Sequence, residues 1–200
     1  MTPGARRVAF VAHCFLNQNA KVAEFARCPG VVLPVVSALR ESGYELAQLP
    51  CPEMAYLGVG RWWQSREMYD TPGYREHCRT LAAPVLAQVR AYRAEGYEVV
   101  LVGLDGSPSS GVRLTGSRQD WGGRPEGAAR GGSNRIPGRG IWIQELMRLF
   151  DEAGEPWPRA TGIAMDDKDF DPVAGMAEFA GFLDSEPGAG AAPDARAGDS

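Results

Sequence analysis

The sequence predicts a single α/β domain of Rossmann-like, doubly wound type with a mainly parallel sheet, occupying residues 1–184 of the 200. Three observations predict it. Short apolar, β-branched runs alternate with segments of helical periodicity, the mark of β-α units closing a parallel sheet. Gly and Pro punctuate the boundaries between them. A chain of 200 residues with 44% hydrophobic content buries the core of one domain and has no need of disulfide staples.

The first strand is read at residues 7–12 (RVAFVA). A helix over 30–42 follows, with Val32, Val35, Val36 and Leu39 on one face, Pro34 in its first turn and Gly43 as its stop. The second strand is 44–49 (YELAQL). A longer helix over 71–95 opens with Asp70 or Thr71 as cap and Pro72 at its first position. Its apolar stripe is Tyr74, Cys78, Leu81, Val85, Val89 and Tyr92, with a kink expected at Pro84 and an end at Gly96. The third strand, 97–104 (YEVVLVGL), is the most hydrophobic and suits a central place covered on both faces. Ile143, Leu146, Met147 and Phe150 mark a helix over 141–153, and a weaker fourth strand is 160–165. A last helix, 172–184, carries Val173, Met176, Phe179 and Leu183. Residues 111–140, rich in Gly and Arg, read as one long loop of the lid or binding type. Residues 185–200 hold no large apolar side chain and read as a disordered tail.

A formal charge of −4 argues against a general nucleic-acid binder. No stretch approaches the ~20 apolar residues of a membrane span, and the run at 8–12 is too short for a signal peptide. The expectation is a cytoplasmic protein with reduced thiols, acting on a small molecule without nucleic acid or membrane as partner. Of 21 basic residues only Lys21 and Lys168 are lysine, which reads as GC-rich coding.

In open parallel sheets ligands bind beyond the carboxyl ends of the strands. The first three strands each end in a polar cluster: His13, Cys14 and Asn17; Cys51 and Glu53; and the turn Ser107-Pro108-Ser109-Ser110. Two of the four cysteines, Cys14 and Cys51, thereby fall on one edge of the sheet, either as a site or as a pair of small buried thiols. Cys78 lies on the apolar helical stripe, and Cys28 stands beside Pro29 in a loop. The arginines of 111–140 give that loop a basic character, and Gly138 and Gly140 lead into a helix N-terminus suited to an anion.

The runs HCFLNQN, QLPCPE with YLGVGR, MYDTPGYREHCR, GSPSSG and IPGRGIWIQEL, in that order over about residues 8–150, resemble the TudS-related desulfidases, relatives of the thiouracil desulfidases. The resemblance implies removal of sulfur from a thiouracil-like thiocarbonyl compound by a [4Fe-4S] cluster on three cysteines, with one iron open to substrate sulfur. Carried over by position, Cys14 and Cys51 are metal ligands. The third position, a cysteine in the family pattern, is Ser110 here, and a serine oxygen is a poorer ligand for cluster iron than thiolate. Three arrangements fit: Ser110 ligates as an alkoxide, Cys78 substitutes, or the scaffold is cluster-free and binds a small molecule or partner. For the catalytic reading, Glu53 is the general acid or base and Ser109 assists it. His13, Ser107 and Arg61 contact substrate, and Trp62 and Trp63 wall the pocket.

Overall fold

The computed structural model describes residues 6–118 and 134–185. Of the tail read at 185–200, residues 186–200 lie outside the described residues, as does the middle of the Gly/Arg-rich segment. Four strands, β1 (Arg7–Val11), β2 (Tyr44–Gln48), β3 (Glu98–Leu104) and β6 (Arg159–Ile163), form an all-parallel sheet in the order β2-β1-β3-β6. Each matches a strand expected from the sequence to within two residues at either end.

Alternation along the strands sends side chains to two separate cores. Val8 and Phe10 of β1, with Val99 and Leu101 of β3, meet α5 (Pro72–Ala94) and α6 (Ile141–Glu152). Ala9, Val11, Val100, Val102 and Leu104 face α2 (Leu33–Glu41) and α7 (Pro172–Asp184) on the other side. Helices therefore cover both faces, which is why β3 carries an unbroken apolar run. Thr71, not Asp70, caps α5, its hydroxyl accepting from Tyr74 N at 3.3 Å. The helix continues unbroken through Pro84.

Three short helices escape periodicity because none is long enough to show it: α1 (His13–Leu16), α3 (Pro52–Leu57) and α4 (Arg66–Tyr69). The segment read as one long loop also needs correction. Its described ends form an antiparallel pair, β4 (Leu114–Ser117) with β5 (Asn134–Pro137), in which Thr115 opposes Ile136. Asp105, fully buried at the end of β3, roots this ribbon: its Oδ1 accepts from Val112 N at 3.0 Å and Arg113 N at 2.9 Å, and its Oδ2 from Arg113 Nε at 2.9 Å.

The turn after β3 docks on the start of α6. Ile141 N donates to Pro108 O at 3.0 Å and Ile143 N to Ser109 O at 3.3 Å, while Gly140 N donates to Gly111 O at 3.0 Å. These amides were expected to welcome an anion; the turn's own carbonyls occupy them instead. The contact is so close that a Cβ on Gly140 would collide with the backbone of Ser109. Gly140→Ala is therefore expected to cost about 1–3 kcal/mol through overpacking. Urea denaturation measures it, and an unchanged midpoint would show that the turn is not seated on the helix.

Candidate functional site

β1 pairs in parallel with β2 on one side and β3 on the other, so the chain reverses its direction of winding between β1 and β3. At such a switch point the loops leaving the carboxyl ends part and leave a crevice. Here the crevice is a cavity of about 500 Å³, lined by the loops after β1, β2, β3 and β6 and by Arg135 of β5. His13, Cys14, Cys51, Glu53, Arg61, Ser107, Ser109 and Ser110 all border it. So does Trp63, whereas Trp62 is not part of the lining. Cys78 lies elsewhere, fully buried among the apolar side chains between the sheet and α5.

Local structure explains how each group is presented. Cys14 sits in the single turn of α1, where the Gln18 side chain donates to its carbonyl at 2.7 Å. Cys51 caps α3, its sulfur accepting from Met54 N at 3.4 Å. Ser107 Oγ accepts from Ser109 N at 3.2 Å and Ser110 N at 3.0 Å, which folds the turn back on itself and brings Ser109 and Ser110 to the cavity. Gly106, at φ +86°, makes the bend that starts this turn, and Arg135 packs so closely over it that a side chain there would displace the guanidinium.

Glu53 is the best-held group of the cavity. Its Oε1 accepts from Ser109 Oγ at 2.5 Å and Ser107 Oγ at 3.4 Å. Its Oε2 accepts from Tyr69 Oη at 3.3 Å and Arg61 Nε at 3.4 Å. The Arg61 guanidinium is itself committed, donating to Ala20 O at 2.8 Å and Gly58 O at 3.2 Å. Its role here is to fix Glu53 and the loop after β1. Tyr69 lies in α4, which no sequence pattern announced, and burial raises its pKa well above the ordinary range, so that its hydroxyl remains a donor.

Lys21 also borders the cavity, and its Nζ lies 2.6 Å from both carboxylate oxygens of Asp166, in the loop after β6. Arg135 and Asp167 form a second ion pair beside it. Burial pushes the Cys14 thiol up to about 12, opposed by the charge of Lys21, and pushes Cys51 up to about 11. Burial holds His13 below its usual range, with the Gln48 side chain drawing it the other way, so the imidazole is neutral at pH 7. Among the described residues, no three His, Cys, Asp or Glu side chains gather in metal-holding geometry. No described helix is long and apolar enough to cross a membrane.

The fold and its cavity define a doubly wound α/β domain with a thiol-bearing crevice at its switch point. A model of the family described as "Putative 2-thiouracil desulfurase" matches residues 21–122, half of the chain, and the chain belongs to that family. The matched span contains Cys51, Glu53 and the Ser107–Ser110 turn, while Cys14 and Asp166 fall outside it. An uncharacterized protein of Methanocaldococcus jannaschii is 37% identical over 107 residues, covering 54% of this chain and 69% of the relative. No solved structure matches.

The buried thiols give a pH-dependent prediction. A thiol raised from 9.0 to about 11, as at Cys51, holds about a hundredfold less thiolate at pH 7.5 than an unperturbed one. Metal-free protein is expected to alkylate at Cys51 about a hundredfold more slowly than a free cysteine at that pH. The rate should rise about tenfold per pH unit until about pH 11. Mass spectrometry after timed iodoacetamide exposure reads both, and fast labelling at pH 7.5 would contradict the environment described.

Proposed function

We propose that this cavity removes sulfur from a thiolated small molecule, a thiouracil-like thiocarbonyl compound, in the cytoplasm. The observation that carries the reading is the convergence of Cys14, Cys51, Ser110 and the Glu53–Ser109 pair, from three separate loops, on one cavity of small-molecule size. The donor set bears on a [4Fe-4S] cluster through its chemistry. Two thiols suit cluster iron, and the third position offers a hydroxyl, a harder and less acidic donor that grips more weakly. Cys14, Cys51 and Ser110 would hold the cluster; Cys78 would have to leave the core to take part. When bound, the cluster supplies a Lewis-acidic open iron for the substrate's sulfur.

The chain's own groups do the rest. Glu53, fixed on both oxygens, accepts the proton that the attacking water loses, directly or through Ser109 at 2.5 Å. Arg61 and Tyr69 keep its Oε2 engaged and leave Oε1 turned to the serines. Trp63 and the neutral His13 border the space a flat heterocycle would occupy. A second reading, a cluster-free binding protein on the same scaffold, is favoured by the hydroxyl at Ser110 alone.

Anaerobic reconstitution separates the two. The desulfurase reading predicts labile iron and sulfide in the parent, conversion of 2-thiouracil to uracil with release of hydrosulfide, and a loss of about 10²–10⁴ in rate for Glu53→Gln with the cluster intact. Ser110→Cys should raise cluster occupancy and slow its loss to a chelator, and Cys78→Ala should leave iron content unchanged. If Ser110→Cys takes up no more iron than a parent that takes up none, the cluster-free reading replaces it.

A further inference from the structure

Trp142, in the first turn of α6, is fully buried, and its indole Nε1 has no hydrogen-bond partner among the described residues. Burying a donor without an acceptor is costly, so native proteins keep few that neither water nor ligand satisfies. Tyr74 Oη, fully buried and unpartnered as well, stays within the core, whereas Trp142 also borders the cavity.

On one side the indole belongs to the core between the sheet and α5, in the company of Leu101, Val112 and Leu146. That core brings no acceptor within reach of Nε1. The cavity is the other environment that Trp142 meets, and it is the one with room for an acceptor from outside the chain. The backbone on either side is pinned to the turn after β3, Ile141 N to Pro108 O at 3.0 Å and Ile143 N to Ser109 O at 3.3 Å. Ser109 in turn donates to Glu53 Oε1 at 2.5 Å. The indole is therefore fixed relative to the Glu53–Ser109 pair, and swinging it aside would disturb a close-packed core.

We propose that Trp142 is the specificity-determining residue of the cavity: its indole N–H donates to a ring carbonyl oxygen of the bound heterocycle and selects an oxo substituent over an amino one. The identity of that ring rests on the desulfurase reading. In 2-thiouracil the sulfur on C2 is the atom to be removed, and the oxygen on C4 is a second, harder acceptor with its lone pairs in the plane of the ring. An indole N–H donates and never accepts. The amino group that 2-thiocytosine carries on C4 fills the same space as the oxygen but presents N–H groups of its own, so donor faces donor and Trp142 stays unpaired. Shape alone would admit both rings; the unpaired donor admits one.

The test is a titration of metal-free, ¹⁵N-labelled protein with 2-thiouracil and with 2-thiocytosine at pH 6.5, read on the indole N–H signals. Trp142 is the one fully buried indole among the described tryptophans, and its signal is identified by its absence from Trp142→Phe. 2-Thiouracil is expected to move that signal downfield and saturably, and 2-thiocytosine to bind about tenfold or more weakly, the worth of one hydrogen bond to a buried donor. Trp142→Phe keeps an aromatic ring and removes the donor. It should bring the two affinities within about twofold of each other, by loss of 2-thiouracil binding. The parent's preference and its indole shift need no variant, so both are read even where Trp142→Phe fails to fold. Equal affinity for the two rings in the parent would overturn the proposal, as would a preference that survives Trp142→Phe, an indole signal that stays still because an internal water holds the N–H, or no binding of either ring at millimolar concentration. Turnover is read separately on iron-loaded protein. A Trp142-dependent preference without release of hydrosulfide would remove the reaction and leave the ring-reading donor standing.

Discussion

Strand β1 hydrogen-bonds in parallel to β2 and β3 at once, and from that constraint the rest of the site follows. Parallel pairing on both sides obliges all three strands to end at the same edge. The loops that leave them then open towards one crevice, and residues separated by almost a hundred positions, such as Cys14 and Ser110, come to border one space. The two cores behind the sheet supply the rigidity. Fully buried Phe10, Leu101, Trp142 and Leu146 on one face and Val11, Val100, Val102 and Leu39 on the other leave the strand ends little freedom.

On this frame the cavity holds two fixed charge clusters: the Glu53 carboxylate, gripped by two serines, a tyrosine and an arginine, and the Lys21–Asp166 pair. Buried ion pairs contribute little to net stability, since desolvation offsets most of their attraction. What they provide here is fixed direction. Arg61 ties Glu53 to the loop after β1 through Ala20 O, and Asp166 ties that same loop to the end of β6, so the loop that presents Cys14 is anchored from both sides. For the proposed desulfurisation, a site with its dipoles already in place would spend no reorganisation when charge develops on sulfur or on water.

The frame was legible in the sequence because its signals are local. Apolar runs of five to seven residues, the Pro72 start and Gly96 end of α5, and the polar clusters after each strand are all written in contiguous residues. Cys14, Cys51, Glu53 and the Ser107–Ser110 turn could be singled out for that reason. Lys21 with Asp166 could not, since the partners are 145 positions apart and neither belongs to a motif; the scarcity of lysine was the one available signal. Tyr69 sits in a four-residue helix too short for periodicity. The β4–β5 ribbon was hidden by composition, because LTGS and NRIP offer only four residues each amid Gly and Arg, and the pairing rests on Asp105 and cross-strand contacts.

The central claim is that Cys14, Cys51 and Ser110 share one cluster-binding wall of the cavity. Anomalous diffraction at the iron edge from crystals of the anaerobically loaded protein tests it most directly. The account predicts a single compact iron density in the cavity, bounded by those three residues. Iron at Cys28 or Cys78, or a loaded crystal with no iron in the cavity, would contradict it.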